Sequence, residues 1–417
     1  MASQPLVSSE AAGSLPSFEP LPPLLSGLRV IEDAMGVVAP YAGRILAELG
    51  AEVVKIEPPA GDPARRKGTG SSGFSGLFEH LNAGKRSVAI DTSKPSGQSI
   101  YSQLLQSAEC VVADELSLVL REPHLIESLS PHAAVIAITP FGLTGPRKGQ
   151  RAGPYGLFHA GGEGNTTPRG GDLRREPVAP TGNLACLDAG VIGAFAVLLF
   201  VLHGDLAVEK NPAAGPYVFD VSNLEVLMGL GRQDLCAYPN EGRLENREVK
   251  AGPLATLTMR CSDGEVISSL GEQQWPTWCD LSGRPNLQSD PRFETQYLRS
   301  AHVAELATEL EGWTSHYTRA ELELLLQPLG IPLAGVLTPA EVLASPQLRF
   351  RHFFHEWNDA SPPRRIPSSL PFICEDGRRW QTPGQAPSLG EYTGSLLREN
   401  GFNDDQQAIL RRAGVIA

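Results

Sequence analysis

The sequence predicts an α/β protein in which a large, doubly wound domain is followed by a small α+β domain. The first observation is an apolar run at residues 28–32, a helical stretch at 39–50 and a second apolar run at 51–57. Together they form a β-α-β unit of about thirty residues, which is typical of a parallel sheet. The second observation is that apolar runs and helical stretches keep alternating as far as residue 221. The third is a hairpin pattern at 257–267 with helical stretches after it.

The continuing alternation predicts the rest of the parallel sheet. Further strands are predicted at residues 87–90, 110–113, 134–138 and 217–221, with helices at 97–107 and 189–202 and a long Gly/Pro-rich loop at 161–182. No Gly-x-Gly-x-x-Gly motif follows the first strand. The sequence therefore has no fingerprint for a nicotinamide or flavin cofactor.

The second region begins with the hairpin, whose turn is predicted at Asp263-Gly264 because this pair favours tight hairpin turns. Helices are predicted after it, at residues 275–281, 301–311 and 318–329. The Pro-rich chain beyond residue 360 is predicted to be an extended return segment.

Composition excludes several classes of protein. The 417 residues carry a formal net charge of −12 without a dense Lys/Arg stripe, which argues against a nucleic-acid partner. The six cysteines lie far apart without zinc-ligand spacing, so we expect free thiols and no metal. Residues 1–22 lack the basic start and apolar run of a signal peptide and are predicted to be a disordered tail. The apolar stretch at 189–202 is shorter than the ~20 residues of a membrane span, so we expect a buried helix, no membrane partner and a cytoplasmic protein.

Several segments, in order along the chain, resemble the family III CoA-transferases, the group that includes formyl-CoA transferase, carnitine CoA-transferase and α-methylacyl-CoA racemase. The two most specific segments are Leu-Gly-Ala-Glu-Val-Val-Lys-Ile-Glu at 49–57 and Leu-Asn-Ala-Gly-Lys-Arg-Ser-Val-Ala-Ile-Asp at 81–91. Others are Leu-Ser-Gly-Leu-Arg-Val-Ile at 25–31, Gly-Asp-Pro at 61–63, Phe-Gly-Leu-Thr-Gly-Pro at 141–146, Gly-Ile-Pro at 330–332 and Arg-His-Phe-Phe at 351–354. The resemblance extends from about residue 22 to the C-terminus.

This resemblance implies a fold, a substrate and a partner. It implies a large Rossmann-like domain at residues 23–225, a linker and small α+β domain at 226–335, and a segment at 336–417 that returns to pack on the large domain. It also implies coenzyme A, carried as an acyl-CoA substrate, a carboxylic acid as acceptor, and a dimer in which two chains interlock. The residues that it places against coenzyme A are Val37, Val38, Ile90, Asp91, Arg121, Thr139 and Phe141.

The catalytic residue of the family is an Asp that attacks the acyl-CoA thioester and forms a mixed anhydride. It comes four residues before the glycine that opens the long apolar helix; here that glycine is Gly190, and Cys186 stands at the position of the Asp. Asp188 is the nearby carboxylate. Three interpretations stay open: Asp188 is the nucleophile after a two-residue shift, Cys186 acts as a thiolate, or Cys186 is a small core residue and the chain does not catalyse alone. An apolar flank raises the pKa of a thiol, which argues against the thiolate.

Other positions also depart from the family. Residues 114–118, Asp-Glu-Leu-Ser-Leu, replace a stretch that touches coenzyme A, and their carboxylates would repel its phosphates. The racemases have a His after Arg-Ala-Gly, but here Arg-Ala-Gly at 151–153 is followed by Pro154, so their acid/base pair is missing. We therefore expect a subunit of a heteromeric CoA-transferase whose homologous partner supplies the Asp. The alternatives are a self-sufficient homodimer that uses Asp188, and a non-catalytic CoA-binding or structural subunit.

Overall fold

The structure, a computed structural model, describes residues 19–68, 75–168, 173–206, 215–229, 233–244, 246–247, 255–357, 364–374, 377–382 and 384–417. The chain divides into two compact units. The large unit comprises Met1–Gly161, Pro180–Arg232 and Pro346–Ala417, and the small unit comprises Gly162–Ala179 and Gln233–Ser345. Residues 1–18 of the predicted tail lie outside the described residues, whereas Leu21 N donates a hydrogen bond to Arg379 O and Pro22 O accepts one from Trp380 Nε1.

The described secondary structure alternates between strands and helices through the first half of the chain. The strands are β1 (Arg29–Asp33), β2 (Glu52–Glu57), β3 (Arg86–Ala89), β4 (Cys110–Ala113), β5 (Ala134–Thr139), β6 (Tyr217–Ser222), β7 (Ala255–Cys261), β8 (Gly264–Leu270), β9 (Leu333–Gly335), β10 (Phe354–Trp357) and β11 (Arg364–Pro367). The helices are α1 (Val38–Glu48), α2 (Gly76–Asn82), α3 (Pro95–Gln106), α4 (Leu118–Arg121), α5 (Pro123–Glu127), α6 (Pro154–Ala160), α7 (Glu163–Thr166), α8 (Leu184–Leu206), α9 (Asn223–Gly229), α10 (Gln233–Glu241), α11 (Trp275–Leu281), α12 (Gln296–Ala301), α13 (Val303–Thr314), α14 (Arg319–Leu326), α15 (Pro339–Leu343), α16 (Pro346–Phe350), α17 (Thr393–Glu399) and α18 (Asp404–Arg412).

The large unit is built on a parallel sheet. In the described part of the chain this sheet has six strands in the order β3-β2-β1-β4-β5-β6, and every neighbouring pair is parallel. The predicted strands of this unit are confirmed, each to within one residue at either end. The order of the strands reverses between β1 and β4, which is the topological switch point of a doubly wound fold.

Helices cover both faces of this sheet. Because successive side chains of a strand point to opposite faces, Val30 and Val112 pack on the layer that contains α1 and α8, whereas Ile31 and Val111 pack on the layer that contains α3 and α17. The predicted doubly wound α/β architecture is therefore confirmed for the large unit.

Two glycines let α8 lie directly against its neighbours. A Cβ atom at Gly190 would lie 2.6 Å from Val38 O at the start of α1. A Cβ atom at Gly193 would overlap the side chain of Ile138 in β5. Side chains at these positions would push α8 away from the sheet, so the glycines fix how closely the helix packs.

The prediction that this apolar helix is buried is wrong for one of its faces. Val191, Phe195, Leu199 and Leu202 are 44–53% exposed and follow one another at helical spacing. We call these four residues the α8 stripe. The buried residues of the helix, among them Ala189, Ala194 and Val197, pack instead with residues of α1 and β5. Within the described residues, Cys186–Gly204 also has the length and composition of a membrane span, a criterion that core helices meet as well.

The small unit contains the predicted hairpin. β7 and β8 pair antiparallel, and β9 pairs with β8 to complete a sheet of three strands among the described residues. Cys261 pairs with Gly264, so the turn is centred on Ser262 and Asp263, one residue earlier than predicted. Trp278, Leu310 and other apolar side chains of α11, α13 and α14 pack against this sheet. The α+β character predicted for the second region is thus observed.

Two predictions about connecting segments need correction. The loop predicted at 161–182 contains a short helix, α7, in its described part. The return segment beyond residue 360 is not extended throughout: after β11 it ends in α17 and α18, and Leu396 and Leu397 of α17 pack on the sheet. The prolines of this segment are the reason for the prediction of an extended chain. That prediction misses the capping box at Asn403 and Gln406, which starts α18.

Candidate functional site

The candidate site lies where the carboxyl ends of β1 and β4 meet, because ligands of doubly wound proteins bind outside the strand ends at the switch point. The segment after β1, residues 34–37, is here named the β1 loop. The segments after β4 and β5 lie at the carboxyl ends of the strands that come after β1 in the sheet order. The first turns of α8 lie against the start of α1, which follows the β1 loop. Four chain segments are thus available to line one crevice.

Charged side chains bind three consecutive residues of the β1 loop. Lys55 Nζ donates to Ala34 O at 2.9 Å. Met35 N donates to Asp114 Oδ2 at 2.8 Å. Gly36 N lies 3.2 Å from both carboxylate oxygens of Asp62. The backbone of this loop is therefore held from two sides. Lys55 and Asp62 hold it from the side of β2, and Asp114 holds it from the side of β4.

A buried cluster of four charges supports the same loop. Glu32 accepts hydrogen bonds from Lys55 Nζ at 3.0 Å and from Lys85 Nζ at 2.6 Å. Lys55 Nζ also lies 3.0 Å from Asp62 Oδ2. All four side chains are fully buried. Removal of one member would leave a buried charge without its partner, which is strongly destabilising.

The Asp114 carboxyl group points into the protein, contrary to the expectation that it faces coenzyme A. Its oxygens accept hydrogen bonds from Met35 N and from Leu116 N, each at 2.8 Å. Burial raises its pKa to about 7, although the two backbone N–H groups act in the opposite direction. Asp114 therefore joins the β1 loop to the β4 loop instead of forming an exposed carboxylate pair with Glu115.

Cys186 lies in the first turn of α8 and is only 3% exposed. It packs with Val37 and Leu81 in a small apolar cluster. Burial raises the pKa of its thiol to about 11, although the Asn223 side chain acts in the opposite direction. At neutral pH Cys186 is therefore a protonated thiol, which is a poor nucleophile. This geometry supports the core-residue interpretation of Cys186 and not the thiolate one.

Asp188 lies one half-turn further along α8 and is half-buried. It is close enough to Cys186 and Tyr41 that its charge raises the pKa of both groups, after the larger effect of burial. Asp188 thus stands next to the predicted nucleophile position and is partly accessible. Nothing in its placement assigns it a catalytic role by itself.

Five of the residues predicted to contact coenzyme A follow three adjacent strands of the sheet. Val37 and Val38 end the β1 loop and begin α1, Arg121 ends α4 after β4, and Thr139 and Phe141 are at the end of β5. Thr139 Oγ1 accepts a hydrogen bond from Gly142 N at 3.0 Å, and the Arg147 guanidinium lies 3.7 Å from the centre of the Phe141 ring. The side chain of Arg121 is exposed. These residues are placed on the crevice side of the sheet.

Ile90 and Asp91 lie elsewhere. They follow β3, the edge strand that β2 separates from β1. Ile90 is buried in the apolar layer with α3, and Asp91 N donates to Val415 O at 2.7 Å. The Asp91 carboxylate accepts hydrogen bonds from Ser93, which shapes the turn before α3. The structure therefore does not bring these two residues together with the other five.

A second concave surface lies beside β3. Its cavity of about 680 Å³ is lined by Arg65, Arg364, Trp357 and Tyr392, among others. Arg65 makes a two-point contact with Glu57, at 2.8 and 2.6 Å, and Arg364 lies 2.7 Å from Glu79. These cations are paired within the protein, which favours a structural role for this surface.

Sequence reasoning missed three residues of the crevice. Asp62 was noted only as part of the Gly-Asp-Pro segment, Asp114 only as a repulsive charge, and Asn223 not at all. Asn223 is 2% exposed, and among the described residues its Oδ1 atom has no hydrogen-bond partner. The helix start after β6 was the available signal, because Asn is common where a helix begins.

Within the described residues, no group of three or more His, Cys, Asp or Glu side chains could hold a metal ion.

Known proteins resemble the chain along nearly its whole length. Residues 25–393 match the family described as CoA-transferase family III. A succinyl-CoA–D-citramalate CoA-transferase of Chloroflexus aurantiacus is 26% identical over 409 residues, which cover 94% of this chain and 98% of the relative. The beta subunit of a succinyl-CoA–L-malate CoA-transferase of the same organism is 26% identical over 413 residues, again 94% and 98% of the two chains.

Solved structures agree with these relatives. A crystal structure of a CAIB/BAIF family protein from Brucella suis superimposes with a TM-score of 0.77 at 25% identity and covers 90% of this chain and 99% of its own. The family match spans most of the sequence, and the relatives align from end to end in the order of the elements described above. The chain therefore belongs to CoA-transferase family III and is a CoA-transferase.

Proposed function

We propose that this chain moves CoA from an acyl-CoA donor to a carboxylic acid as one subunit of a heteromer, and that a homologous partner supplies the catalytic Asp. The acyl-CoA binds at the crevice formed by the β1 loop and the segments after β4 and β5. Val37, Val38, Arg121, Thr139 and Phe141 contact it. The partner's Asp provides the carboxylate that this chain lacks at position 186.

One observation carries the proposal. Cys186, at the position where the family resemblance predicts the nucleophile, is buried against Val37 and Leu81, and its thiol is protonated at neutral pH. A carboxylate nucleophile attacks the thioester carbonyl, the C–S bond breaks as the C–O bond forms, and CoA leaves as a thiolate before it passes to the acceptor acid. A neutral, buried thiol cannot perform this step. The carboxylate must therefore come from another residue or another chain.

The α8 stripe supports a partner chain. Four apolar side chains in a row, 44–53% exposed, make a surface that a monomer would leave in contact with water. On β6, Tyr217 and Val218 extend the same kind of surface, with exposed fractions of 36% and 46%. A homologous subunit that interlocks with this chain covers such a face. One relative is named as the beta subunit of a CoA-transferase, which is consistent with a heteromer.

Asp188 provides the second candidate function, a self-sufficient homodimeric transferase. It is the half-buried carboxylate nearest to Cys186 along α8 and keeps some access to solvent. In this alternative the partner is a second copy of the chain. The third possibility, a non-catalytic CoA-binding or structural subunit, shares the crevice but not the chemistry.

The experiment is a CoA-transfer assay with succinyl-CoA and a panel of carboxylic acids, performed with the chain alone and with the homologous chain encoded beside it. We expect transfer only in the mixture, with Asp188→Ala as active as wild type. Full transfer by the chain alone, abolished by Asp188→Ala, would establish the homodimer. A mixture that binds CoA but keeps its activity after the crevice of this chain is blocked would establish the non-catalytic subunit.

A further inference from the structure

We propose that Asp62 and Asp114 are positioning residues that preset the β1 loop for the pantetheine arm of an acyl-CoA and exclude its phosphates from that loop. This inference rests on the proposed binding of acyl-CoA at the switch point. Beyond that function, it specifies that the pantetheine arm passes the loop and that Asp62 and Asp114 hold the loop in position for it.

The starting point is what the backbone of this loop would otherwise bind. In doubly wound proteins, N–H groups after the first strand and at the start of the following helix commonly bind phosphate. Here Met35 N is already bonded to Asp114 at 2.8 Å, and Gly36 N lies 3.2 Å from both oxygens of Asp62. Two donors that could bind an anion are occupied by carboxylates of the protein itself.

Electrostatics strengthens this exclusion. A diphosphate that approached the loop would need to displace one of two buried carboxyl groups, and it would meet the negative charge of Asp62, which is ion-paired with Lys55. Asp62 is in turn held by Lys55 at 3.0 Å, and Ala64 N donates to it at 2.8 Å, so it cannot turn away without breaking these bonds. The phosphates of the ligand are therefore bound elsewhere.

The remaining part of the ligand fits what the loop offers. The pantetheine arm is uncharged and combines alkyl groups with amides. The loop ends in Val37, a largely buried apolar side chain that packs against Cys186 at the predicted nucleophile position. A loop held in one conformation loses little entropy when it receives such a flexible arm, which strengthens binding.

Asp33 offers a matched control. It is a carboxylate at the end of β1, and it accepts hydrogen bonds from Tyr101 Oη at 2.6 Å and from Leu118 N at 2.7 Å. Within the described part of the chain, the hydrogen bonds that its carboxylate accepts come from α3 and α4 and not from residues of the β1 loop. Asp33→Asn should therefore reduce stability as the other Asp→Asn changes do, without changing the shape of the loop.

Isothermal titration calorimetry of the purified full-length chain with coenzyme A and with adenosine 3′,5′-bisphosphate, which lacks the pantetheine arm, tests the proposal. Asp62→Asn and Asp114→Asn should weaken coenzyme A about tenfold, the effect of losing one charge-assisted hydrogen bond. Neither variant should bind the bisphosphate more weakly than wild type does. Asp33→Asn should bind both ligands as wild type does, at a temperature below the melting point of every variant.

Gly36→Ala provides a second route if an Asp variant does not fold. Gly36 has φ of +84°, and a Cβ atom there would meet nothing within 4 Å, so the substitution strains only the backbone of the loop. It should give the same selective loss of coenzyme A affinity. Equal losses for both ligands, or none for coenzyme A, would overturn the positioning role. A wild-type chain that binds neither ligand would instead remove the proposed function on which the inference rests.

Discussion

The side chain of Asn223 acts on the thiol of Cys186 and lowers its pKa against the larger effect of burial, and both residues are almost completely buried. Asn223 begins α9 and Cys186 lies in the first turn of α8, where the family resemblance predicts the catalytic Asp. A protonated thiol that is buried in an apolar cluster with Val37 and Leu81 has the packing of a core residue. It does not provide a nucleophile.

The thiol of Cys186 should resist alkylation. With its pKa raised to about 11 by burial, very little thiolate is present at neutral or mildly alkaline pH, and the sulfur is inaccessible. The exposed Cys236 serves as the internal control. Brief treatment of the native chain with iodoacetamide, followed by peptide mass spectrometry, should find the label on Cys236 and not on Cys186. Equal labelling of the two would show that Cys186 is an accessible thiolate.

The stability of the chain should depend on pH through Asp114. Its pKa is raised from 3.8 to about 7, so the folded protein binds this proton more tightly than the unfolded chain does. Stability from this group is therefore fully present below about pH 4 and is lost as the pH rises to about 7. The loss amounts to roughly 4 kcal/mol, since one pKa unit corresponds to about 1.4 kcal/mol.

Urea denaturation of wild type and Asp114→Asn across this pH range measures that effect. Other titrating groups cancel in the difference between the two proteins. The free energy of unfolding of Asp114→Asn, relative to that of wild type, should increase as the pH rises. A difference that stays constant with pH would mean that Asp114 has an ordinary pKa.

Gly190→Ala should destabilise the chain. The added Cβ would lie 2.6 Å from Val38 O, a backbone atom of α1 that cannot move aside easily. Overpacking of this kind typically costs about 1–3 kcal/mol. Gly204→Ala is the control within the same helix, because its Cβ would meet no atom of the described residues within 4 Å. Thermal unfolding should show a lower melting temperature for the first variant only; equal melting temperatures would mean that α8 is free to shift.

Phe195→Asp should weaken assembly with the partner subunit while leaving the isolated chain folded. Phe195 is 53% exposed in the α8 stripe, so a charge there is tolerated in water but not in an apolar interface. Ile409→Asp on α18 is the matched control, because Ile409 is 62% exposed and lies outside the stripe. Light scattering after size exclusion should show dissociation of the first variant only. Unchanged assembly of Phe195→Asp would exclude the stripe from the interface.

The strands could be predicted from the sequence because the sheet is covered on both faces. A strand such as β4, Cys-Val-Val-Ala, is then a continuous apolar run, and flanking helices separate one run from the next. The exposed face of α8 could not be predicted in the same way. The helix is apolar all round, so its sequence has no polar side that would mark which residues lack a partner.

The site was less predictable because its contacts join distant parts of the chain. Met35 and Asp114 are 79 residues apart, and Gly36 and Asp62 are 26 apart, and each contact is between a side chain and the backbone. No side-chain pattern reveals which backbone N–H group a carboxylate will bind. The family resemblance located Cys186, but the sequence alone did not show that Asn223 is its neighbour.

The most direct test of the central claim is to locate the catalytic carboxylate in the assembled enzyme. Hydroxylamine attacks the activated carboxyl carbon of an acyl-enzyme anhydride and leaves a hydroxamate on that residue. The complex would be incubated with succinyl-CoA and hydroxylamine, digested, and analysed by peptide mass spectrometry. We predict a hydroxamate on an Asp of the partner chain and an unmodified peptide containing Cys186 and Asp188. A hydroxamate at Asp188 would contradict the account and make this chain the catalytic subunit.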